Sequence, residues 1–253
     1  MTADGGAEPD AVTLAYVHDA TVAFSWHASL HNLTMADLAG PRRIYRGGEV
    51  AIRCASAGQL AEARNRAVAH FLADGRAPWL FWTDTDMGFA PDTLERLLAA
   101  ADAEERPVVG ALCFASQEVE PDGMGGWRAQ ATATIFDWIR EGDLEGFAAR
   151  ADYEPVSPLA CDATGMACTL IHRSALERIG RDWGPVWYDR IAAREGSVGE
   201  DLSFCMRLRD AGVPLHVHTG IRTTHLKRLW LAEGDYRRPE PGPAPVLALA
   251  GRP

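Results

Sequence analysis

Apolar runs and helically spaced apolar positions alternate along the first half of the chain. Apolar runs at 11–18, 78–84 and 107–114 predict strands, because short continuous apolar segments bounded by turn residues or charges are typical of buried strands. Residues 57–75 and 90–105 repeat apolar positions at helical spacing, which predicts a helix in each segment. This β-α-β-α-β order, with strands that are apolar on both faces, predicts a parallel sheet covered by helices.

The second half of the chain is less regular. Residues 115–160 contain Gly and Trp and indicate loops and antiparallel elements, with short strands within 125–138. The Pro-rich segment 239–253 predicts a flexible tail, which leaves 1–238 as a single domain. Regular elements resume as a strand and helix at 168–180, a helix at 199–212 and a late strand at 214–220.

Composition and charge narrow the functional classes. The chain has 253 residues, 47% of them hydrophobic and 24% charged, which suits a globular protein with a sizeable core. The formal net charge of −10 argues against a generic binder of nucleic acid or of anionic membranes, because such proteins work through a basic surface. An anionic substrate that is bridged by a metal ion is still compatible with this charge.

Cysteine usage and the N-terminus indicate the compartment. The five cysteines are scattered and lack C-x-x-C spacing, so neither a disulfide framework nor a zinc knuckle is indicated. The first ten residues are polar and acidic, and no apolar run approaches the roughly 20 residues that span a bilayer. We therefore expect a cytoplasmic protein without a membrane partner. The sequence does not indicate its oligomeric state.

The apolar run at 78–84 leads into two carboxylates, Asp84 and Asp86, which are separated by one threonine. Ligands of open α/β sheets bind at the carboxyl ends of the strands, and residues two apart in an extended segment share a face. Both carboxylates can therefore project toward the same point, where hard oxygen donors suit Mg²⁺ or Mn²⁺. The alternative is that Asp86 caps the following turn and that Asp84 is solvated.

Five segments, in order, resemble a known family: LAEARNRAV, WLFWTDTDMGFAPDTLERLL, TGMACTLIHRSALERIG, GEDLSFCMRLRDAG and TTHLK. They resemble the GT-A-fold nucleotide-sugar glycosyltransferases of the family 2 type found in actinobacteria and their phages. The resemblance runs from about residue 11 to 228. It implies a GT-A-like, doubly wound, mostly parallel sheet with helices on both faces and a small antiparallel portion. It also implies a nucleotide-binding half at about 11–115 and an acceptor half at about 116–238.

The resemblance implies a metal-dependent donor site. In this family the paired carboxylates, here Asp84 and Asp86, bind Mn²⁺ or Mg²⁺, and the ion bridges the diphosphate of a UDP- or GDP-sugar. His225 takes the place of a late metal ligand. His218 on the preceding predicted strand is its competitor for that role.

The resemblance gives Asp201 the role of general base, with Glu200 beside it at the start of a helix. A glycosyl transfer that inverts configuration needs such a base, because the acceptor hydroxyl must lose its proton. The alternative is that both acids only stabilise the positive end of the helix, an effect of roughly 0.3–1 kcal/mol.

Four residues are expected near the nucleotide. The family places Arg64 and Asn65 close to the donor, where the arginine can pair with phosphate or stack on a base. His18 and Asp19 end the first strand, where the nucleotide base lies in this fold. An exposed helix arginine is the alternative for Arg64.

Five residues are expected on the acceptor side. Gly165 and Met166 bring small or flexible groups to the place where donor sugar and acceptor meet in the family, with ordinary tight packing as the alternative. Trp183, Trp187 and Tyr188 precede the expected base. They indicate either a flap that stacks on an acceptor or a packed loop.

Together these features predict a metal-dependent, inverting glycosyltransferase of the hexosyltransferase type. Basic and aromatic positions within 222–238 indicate a solvated helix or a phosphate-tracking surface, and the latter makes a hydroxylated base in phage-type DNA a candidate acceptor beside glycans and small molecules. One alternative is a nucleotidyltransferase, although the basic Gly-rich signature is missing after the first strand. The other is a non-catalytic sugar-nucleotide or carbohydrate-binding module, which would not need Asp201.

Overall fold

Helices and strands alternate throughout the described part of the chain. The computed structural model describes residues 9–44, 51–74, 77–119, 128–141, 144–150, 152–192 and 197–227. The helices in these ranges are α1 (Phe24–Ala39), α2 (Leu60–Asp74), α3 (Thr93–Ala100), α4 (Arg173–Trp183) and α5 (Glu200–Asp210). The strands are β1 (Val12–His18), β2 (Ala51–Ala55), β3 (Trp79–Thr83), β4 (Met87–Gly88), β5 (Val108–Leu112), β6 (Phe114–Val119), β7 (Arg128–Ala133), β8 (Ile135–Glu141), β9 (Leu144–Ala149), β10 (Pro158–Ala160), β11 (Ala163–Thr164), β12 (Cys168–His172), β13 (Ile191–Ala192), β14 (Ser197–Val198), β15 (Leu215–Arg222) and β16 (Thr224–His225).

Seven of the described strands form a central sheet in the order β10-β15-β5-β12-β3-β1-β2. Strand β1 pairs in parallel with β2 and β3, and β15 pairs in parallel with β5. Strand β12 lies antiparallel between β3 and β5, and β10 lies antiparallel to β15 at the edge. The other five strands share one direction, which confirms the prediction of a mostly parallel sheet.

Strand β3 is buried on both faces, as its continuous apolar run predicts. The side chains of Trp79 and Phe81 join the core on one face of the sheet, and those of Leu80 and Trp82 join the core on the other. All four residues are buried. Because β3 lies between β1 and β12, the sequence that follows it emerges at the centre of the sheet edge.

The helices cover both faces of this sheet. Residues of α2, α4 and α5 pack in the core that contains Leu80 and Trp82. Residues of α1 and α3 pack in the core that contains Trp79 and Phe81. The described chain is therefore a three-layer α/β/α arrangement, which agrees with the predicted doubly wound class.

The elements that were not predicted from the sequence include α1 and β2. Helix α1 buries Trp26 and Leu33 but exposes Phe24 and Met35, so no single apolar stripe marks it as a helix. Strand β2 lies at the edge of the sheet, and most of its residues are partly exposed. The first crossover of the sheet therefore contains α1, and a second crossover contains α2.

Most predicted elements shift by a few residues at their ends. The helix predicted at 57–75 begins at Leu60, because Ala57 and Gly58 have φ of 46° and 77° in the left-handed region. Its predicted end at Gly75 and the predicted tail at 239–253 lie outside the described residues.

The segment predicted to be irregular and antiparallel contains two hairpins. Strand β6 pairs antiparallel with β7, and β8 pairs antiparallel with β9 and β11. The small antiparallel portion of the predicted fold is therefore confirmed. Among the described residues, no helix is both long and apolar enough to cross a membrane.

Candidate active site

The DTD loop, residues 84–86, connects β3 to β4 at the carboxyl end of the parallel strands. Side chains at this edge are where open α/β sheets bind ligands. Three backbone hydrogen bonds fix the loop, from the Asp84 N–H to the Ala167 carbonyl (2.8 Å), from the Ala23 N–H to the Thr85 carbonyl (2.9 Å) and from the Leu226 N–H to the Asp86 carbonyl (2.9 Å). The two carboxylates are therefore held by a rigid frame.

Asp84 faces Arg64, a buried arginine that lies close to three carboxylates. The Nη2 of Arg64 donates to both carboxylate oxygens of Asp84 at 3.1 Å, and its Nη1 donates to Oδ1 of Asp201. The Oε1 of Glu200 lies 3.8 Å from Nη2. The Arg64 side chain is only 1% exposed. This group, Arg64 with Asp84, Glu200 and Asp201, is called the Arg64 cluster below.

The Arg64 cluster holds one buried guanidinium among three partly exposed carboxylates, so negative charge exceeds positive charge. Burial alone would lower the pKa of Arg64, but Asp201 and Asp84 raise it above its usual value, so the guanidinium stays charged. Its Cζ lies 5.3 Å from the ring centroid of Trp82 and 5.4 Å from that of Tyr188. The indole N–H of Trp82 also donates to Oδ1 of Asp84 at 3.1 Å.

Asp86 faces away from the Arg64 cluster, toward β16. The Nε2 of His225 lies 2.9 Å from Oδ2 of Asp86, and Nδ1 of His225 lies 2.7 Å from the Phe114 carbonyl. Because a carbonyl only accepts, Nδ1 must carry a proton, and in neutral His225 the lone pair of Nε2 then faces the carboxylate. Two acceptors at hydrogen-bond distance need a cation, either a proton or a metal ion.

Asp86 and His225 each shift the pKa of the other in the direction that favours the charged form. Burial would raise the pKa of Asp86, but its hydrogen bond with His225 holds the pKa below its ordinary value. Burial would lower the pKa of His225, but Asp86 raises it. The Nζ of Lys227 is a second cation beside the same Oδ2, at 3.5 Å.

The donor set around Asp86 fits a divalent ion that is completed by substrate. A histidine that binds a metal commonly donates its other ring N–H to a backbone carbonyl, as His225 does to Phe114. His218 accepts from the Gly220 N–H at 3.2 Å on β15 instead, so the structure favours His225 over His218. No three His, Cys, Asp or Glu side chains cluster as a metal site within the described ranges. Mg²⁺-type sites often use one or two protein ligands plus phosphate oxygens.

Asp201 and Glu200 form the first turn of α5, behind Gly199 at the N-cap. Burial, with the neighbouring Asp84 and Glu200, raises the pKa of Asp201 to about 6, although Arg64 and the Met166 N–H oppose this rise. The Asp201 side chain is still 28% exposed, so one side of the carboxylate is open to a ligand. A carboxylate with these properties can accept a proton near neutral pH.

The side-chain amide of Asn65 binds protein backbone. Its Oδ1 accepts from the N–H groups of Trp187 and Tyr188 at 2.9 Å each, and its Nδ2 donates to the Tyr188 carbonyl at 2.8 Å. The amide therefore holds the loop that leads to β13 and α5. Sequence reasoning placed Arg64 and Asn65 near the nucleotide, whereas the structure surrounds both with protein groups.

A cavity of about 200 Å³ opens beside the DTD loop. His18 and Asp19 line it from the end of β1. The Oγ of Ser56 donates to Oδ1 of Asp19 and orients this carboxylate. The remaining lining residues are Val17, Leu60, Asp84, Thr85 and Asp86.

The residues predicted on the acceptor side separate into three groups. Gly165 and Met166 lie in the loop whose Ala167 carbonyl binds Asp84, and the Met166 N–H interacts with Asp201, so this loop lies between the two carboxylates. Trp187 and Tyr188 are buried and pack in the core. Trp183 is 45% exposed at the end of α4.

The sequence analysis did not assign a role in this site to Ser56, which donates to Asp19, or to Lys227, which lies beside Asp86. Ser56 follows β2. Because β2 was not predicted, the position of Ser56 beside Asp19 could not be predicted either. Lys227 follows His225 by two residues, and that spacing in an extended segment would have indicated a shared face.

Comparisons with known proteins agree with this fold. A sequence model described as glycosyl transferase family 2 matches residues 50–180, more than half of the chain. The crystal structure of A197 from STIV matches with a TM-score of 0.50 and 16% identity, over 85% of this chain and 86% of that chain. The crystal structure of GalNAc-T7 with UDP, GalNAc and Mn²⁺ matches with a TM-score of 0.54 and 14% identity, over 87% of this chain and 44% of that chain. No curated protein matches the chain significantly.

Proposed function

Because the chain belongs to glycosyl transferase family 2, we propose that it moves a sugar from a nucleoside diphosphate to an acceptor hydroxyl with the help of Mn²⁺ or Mg²⁺. The observation that carries this proposal is the contact between His225 and Asp86, a carboxylate that lines the cavity. Family membership makes the chain a glycosyltransferase, which argues against the nucleotidyltransferase and the non-catalytic module.

The donor binds, in this proposal, with its nucleoside in the cavity and its diphosphate over the DTD loop. Asp19, fixed by Ser56, and His18 contact the nucleoside. Asp86 and His225 would hold the cation, whereas both oxygens of Asp84 are bound by Arg64. The GalNAc-T7 structure contains UDP and Mn²⁺, which supports this donor class for a chain of the same fold.

Charge on the leaving diphosphate must be neutralised as the glycosidic bond breaks. A bound divalent ion supplies Lewis-acid stabilisation of the diphosphate oxygens. Lys227, whose Nζ lies 3.5 Å from Asp86, adds a second positive charge at the same place. Both groups stabilise negative charge that increases in the transition state.

Asp201 is the proposed general base, and its use implies inversion at the sugar carbon. Its raised pKa of about 6 leaves it ionised but basic at neutral pH. The loop with Gly165 and Met166 contacts both Asp84 and Asp201, and in this proposal the donor sugar and the acceptor hydroxyl meet beside it. Glu200 supports Asp201 through the shared contact with Arg64.

The acceptor is proposed only as a hydroxyl-bearing molecule. Trp183 offers an exposed aromatic face on the acceptor half, which suits stacking against a sugar or a base. Arg222 and Lys227 are the described members of the basic segment 222–238, and the remainder lies outside the described residues. DNA with hydroxylated bases, the acceptor of a phage-type enzyme, stays a candidate beside glycans and small molecules, and the cytoplasm stays the expected compartment.

The proposal is tested by nucleotide release from a panel of UDP- and GDP-sugars, with Mn²⁺ or with a chelator. We expect release from one donor class with Mn²⁺ and its loss with chelator. Asp86→Ala removes a cation ligand and is expected to abolish release. Asp92→Ala is the matched control, because Asp92 is exposed and makes no side-chain capping bond at α3. Equal release with chelator, or full activity of Asp86→Ala, would contradict the metal-dependent mechanism.

A further inference from the structure

We propose that Arg64 and Asn65 are positioning residues, which together fix the base Asp201 at a set distance from the donor-site carboxylate Asp84. The inference rests on the proposed function, since it takes Asp201 as the base and Asp84 as a carboxylate of the donor site. Neither Arg64 nor Asn65 touches the substrate in this role. The role replaces the nucleotide contact that the sequence indicated for both residues.

The guanidinium of Arg64 bridges the two carboxylates Asp84 and Asp201. Nη2 of Arg64 donates to both oxygens of Asp84, while Nη1 donates to Asp201. Because the guanidinium is planar and rigid, the separation of these carboxylates is set by its width. A lysine ammonium is a point charge and cannot span two carboxylates with the same fixed geometry.

The buried side chain of Arg64 has no exposed surface left for a nucleotide. Its side chain is 1% exposed, and its Nη groups are occupied by Asp84 and Asp201. The rings of Trp82 and Tyr188 pack against the guanidinium, with centroids 5.3 and 5.4 Å from Cζ. These contacts restrict rotation of the side chain, so the spacing it imposes is stiff.

Asn65, the next residue on α2, holds the loop that precedes α5. Its side-chain amide makes three hydrogen bonds of 2.8–2.9 Å with the backbone of Trp187 and Tyr188. The same loop is tied to α5, since Nη1 of Arg207 donates to the Trp187 carbonyl at 2.9 Å. Asn65 therefore holds the backbone from which α5 and Asp201 follow.

Taken together, two adjacent residues of α2 connect the two sides of the site. Arg64 spans from the end of β3 to the first turn of α5, and Asn65 holds the loop before α5. A displacement of about 1 Å between reacting groups can cost about 10²-fold in rate. Loss of this connection should therefore lower the transfer rate far more than nucleotide affinity.

The test compares Arg64→Lys and Asn65→Ala with the wild type and with Arg66→Ala. Arg66 is the matched control, because it is the next residue on α2, is exposed and donates to the Ala55 carbonyl at 3.0 Å. Three quantities are measured for each protein: the midpoint of thermal unfolding, the Kd of UDP and of GDP by calorimetry without metal, and kcat and KM for the donor that the wild type uses fastest.

We expect Arg64→Lys to lose about 10²-fold in kcat while the Kd of UDP or GDP changes little. Asn65→Ala should lose kcat in the same selective way, and it carries the test if Arg64→Lys does not fold. Arg66→Ala should match the wild type in every quantity. Loss of nucleotide affinity equal to the loss of kcat would overturn the inference, as would full kcat in both variants or a loss explained by the unfolded fraction. A wild type that releases no nucleotide from any donor would overturn the proposed function itself.

Discussion

Among single residues, the contact between Asp86 and His225 says most about the chemistry of this protein. A carboxylate oxygen and a ring nitrogen lie 2.9 Å apart, while the other ring nitrogen is committed to the Phe114 carbonyl. Lys227 places a further positive charge at the same oxygen. Such a pair needs a cation between its two atoms, and either a proton or a bound divalent ion can supply it.

Replacing the proposed base tests the division of labour between donor binding and transfer. Asp201→Asn keeps the size of the side chain and part of its bonding to Arg64, but the amide cannot accept the acceptor proton. We expect the Kd of UDP or GDP to stay close to the wild-type value and kcat to fall by about 10²–10⁴-fold. Calorimetry and initial rates measure the two quantities. Unchanged transfer would show that another base acts or that configuration is retained.

The pH dependence of kcat tests the same residue. The pKa of Asp201 is raised to about 6, and the base form is the ionised form. Activity should therefore be full above that pH and fall about tenfold for each unit well below it. Because the pKa of His225 is also raised, protons compete with the metal in a neighbouring range, and the profile must be measured at saturating Mn²⁺. A flat profile from pH 8 to 5 would exclude Asp201 as the base.

The residues of the site differ in how visible they are in the sequence. Asp84 and Asp86 follow an apolar strand directly, so strand-end logic places them at the binding edge. The position of Arg64 in the Arg64 cluster could not be predicted, because its partners Asp201 and Glu200 lie more than 130 residues away in sequence. Helical spacing says which face of α2 is buried, but not which carboxylates are buried with it.

Among the elements, the short pair of β4 and β16 brings His225 to the DTD loop. Thr224 pairs with Gly88 and His225 pairs with Met87 in this antiparallel ladder. A Cβ at Gly88 would lie 2.5 Å from Oγ1 of Thr224 and 3.6 Å from Cβ of Ser25. Glycine is therefore required here for the close approach of the two strands.

Gly88→Ala is expected to shift β16 and to weaken Mn²⁺ binding without contacting the ion. A supporting group that loses its geometry commonly costs about 10–100-fold in metal affinity. The double variant Gly88→Ala with Thr224→Ala removes the clashing hydroxyl and should recover most of the affinity. Mn²⁺ titration by electron paramagnetic resonance measures this. Equal affinity in wild type and Gly88→Ala would separate β16 from the metal site.

Local sequence patterns do not give helix α1 or the position of strand β12 in the sheet, for two different reasons. Helix α1 has apolar residues on both its buried and exposed sides, so its periodicity is weak. Strand β12 was predicted, but its antiparallel place between β3 and β5 depends on a connection through the second half of the chain. Local patterns indicate the type of an element well, whereas strand order depends on contacts that are distant in sequence.

For the whole molecule, the central sheet joins both predicted halves. Strands β1, β2, β3 and β5 come from the nucleotide-binding half, while β10, β12 and β15 come from the acceptor half. The family match ends at residue 180, before Asp201 and His225. The assignment of these two residues therefore depends on the geometry of the site and on the experiments that test it.

Truncation tests the predicted boundary between the domain and its Pro-rich tail. Composition predicts that residues 239–253 add nothing to the core, so a chain that ends at residue 238 should unfold at the same temperature. Nucleotide release should also be unchanged. A lower unfolding midpoint or a loss of activity would place the tail in the folded domain or in the site.

The most direct test of the central claim is an anomalous diffraction map of the protein crystallised with Mn²⁺ and UDP. The account predicts one strong Mn²⁺ peak within bonding distance of Asp86 and of Nε2 of His225, with diphosphate oxygens completing its ligands. A map with UDP bound but no Mn²⁺ at this position, and with Asp86 still bonded to His225 and Lys227, would contradict it.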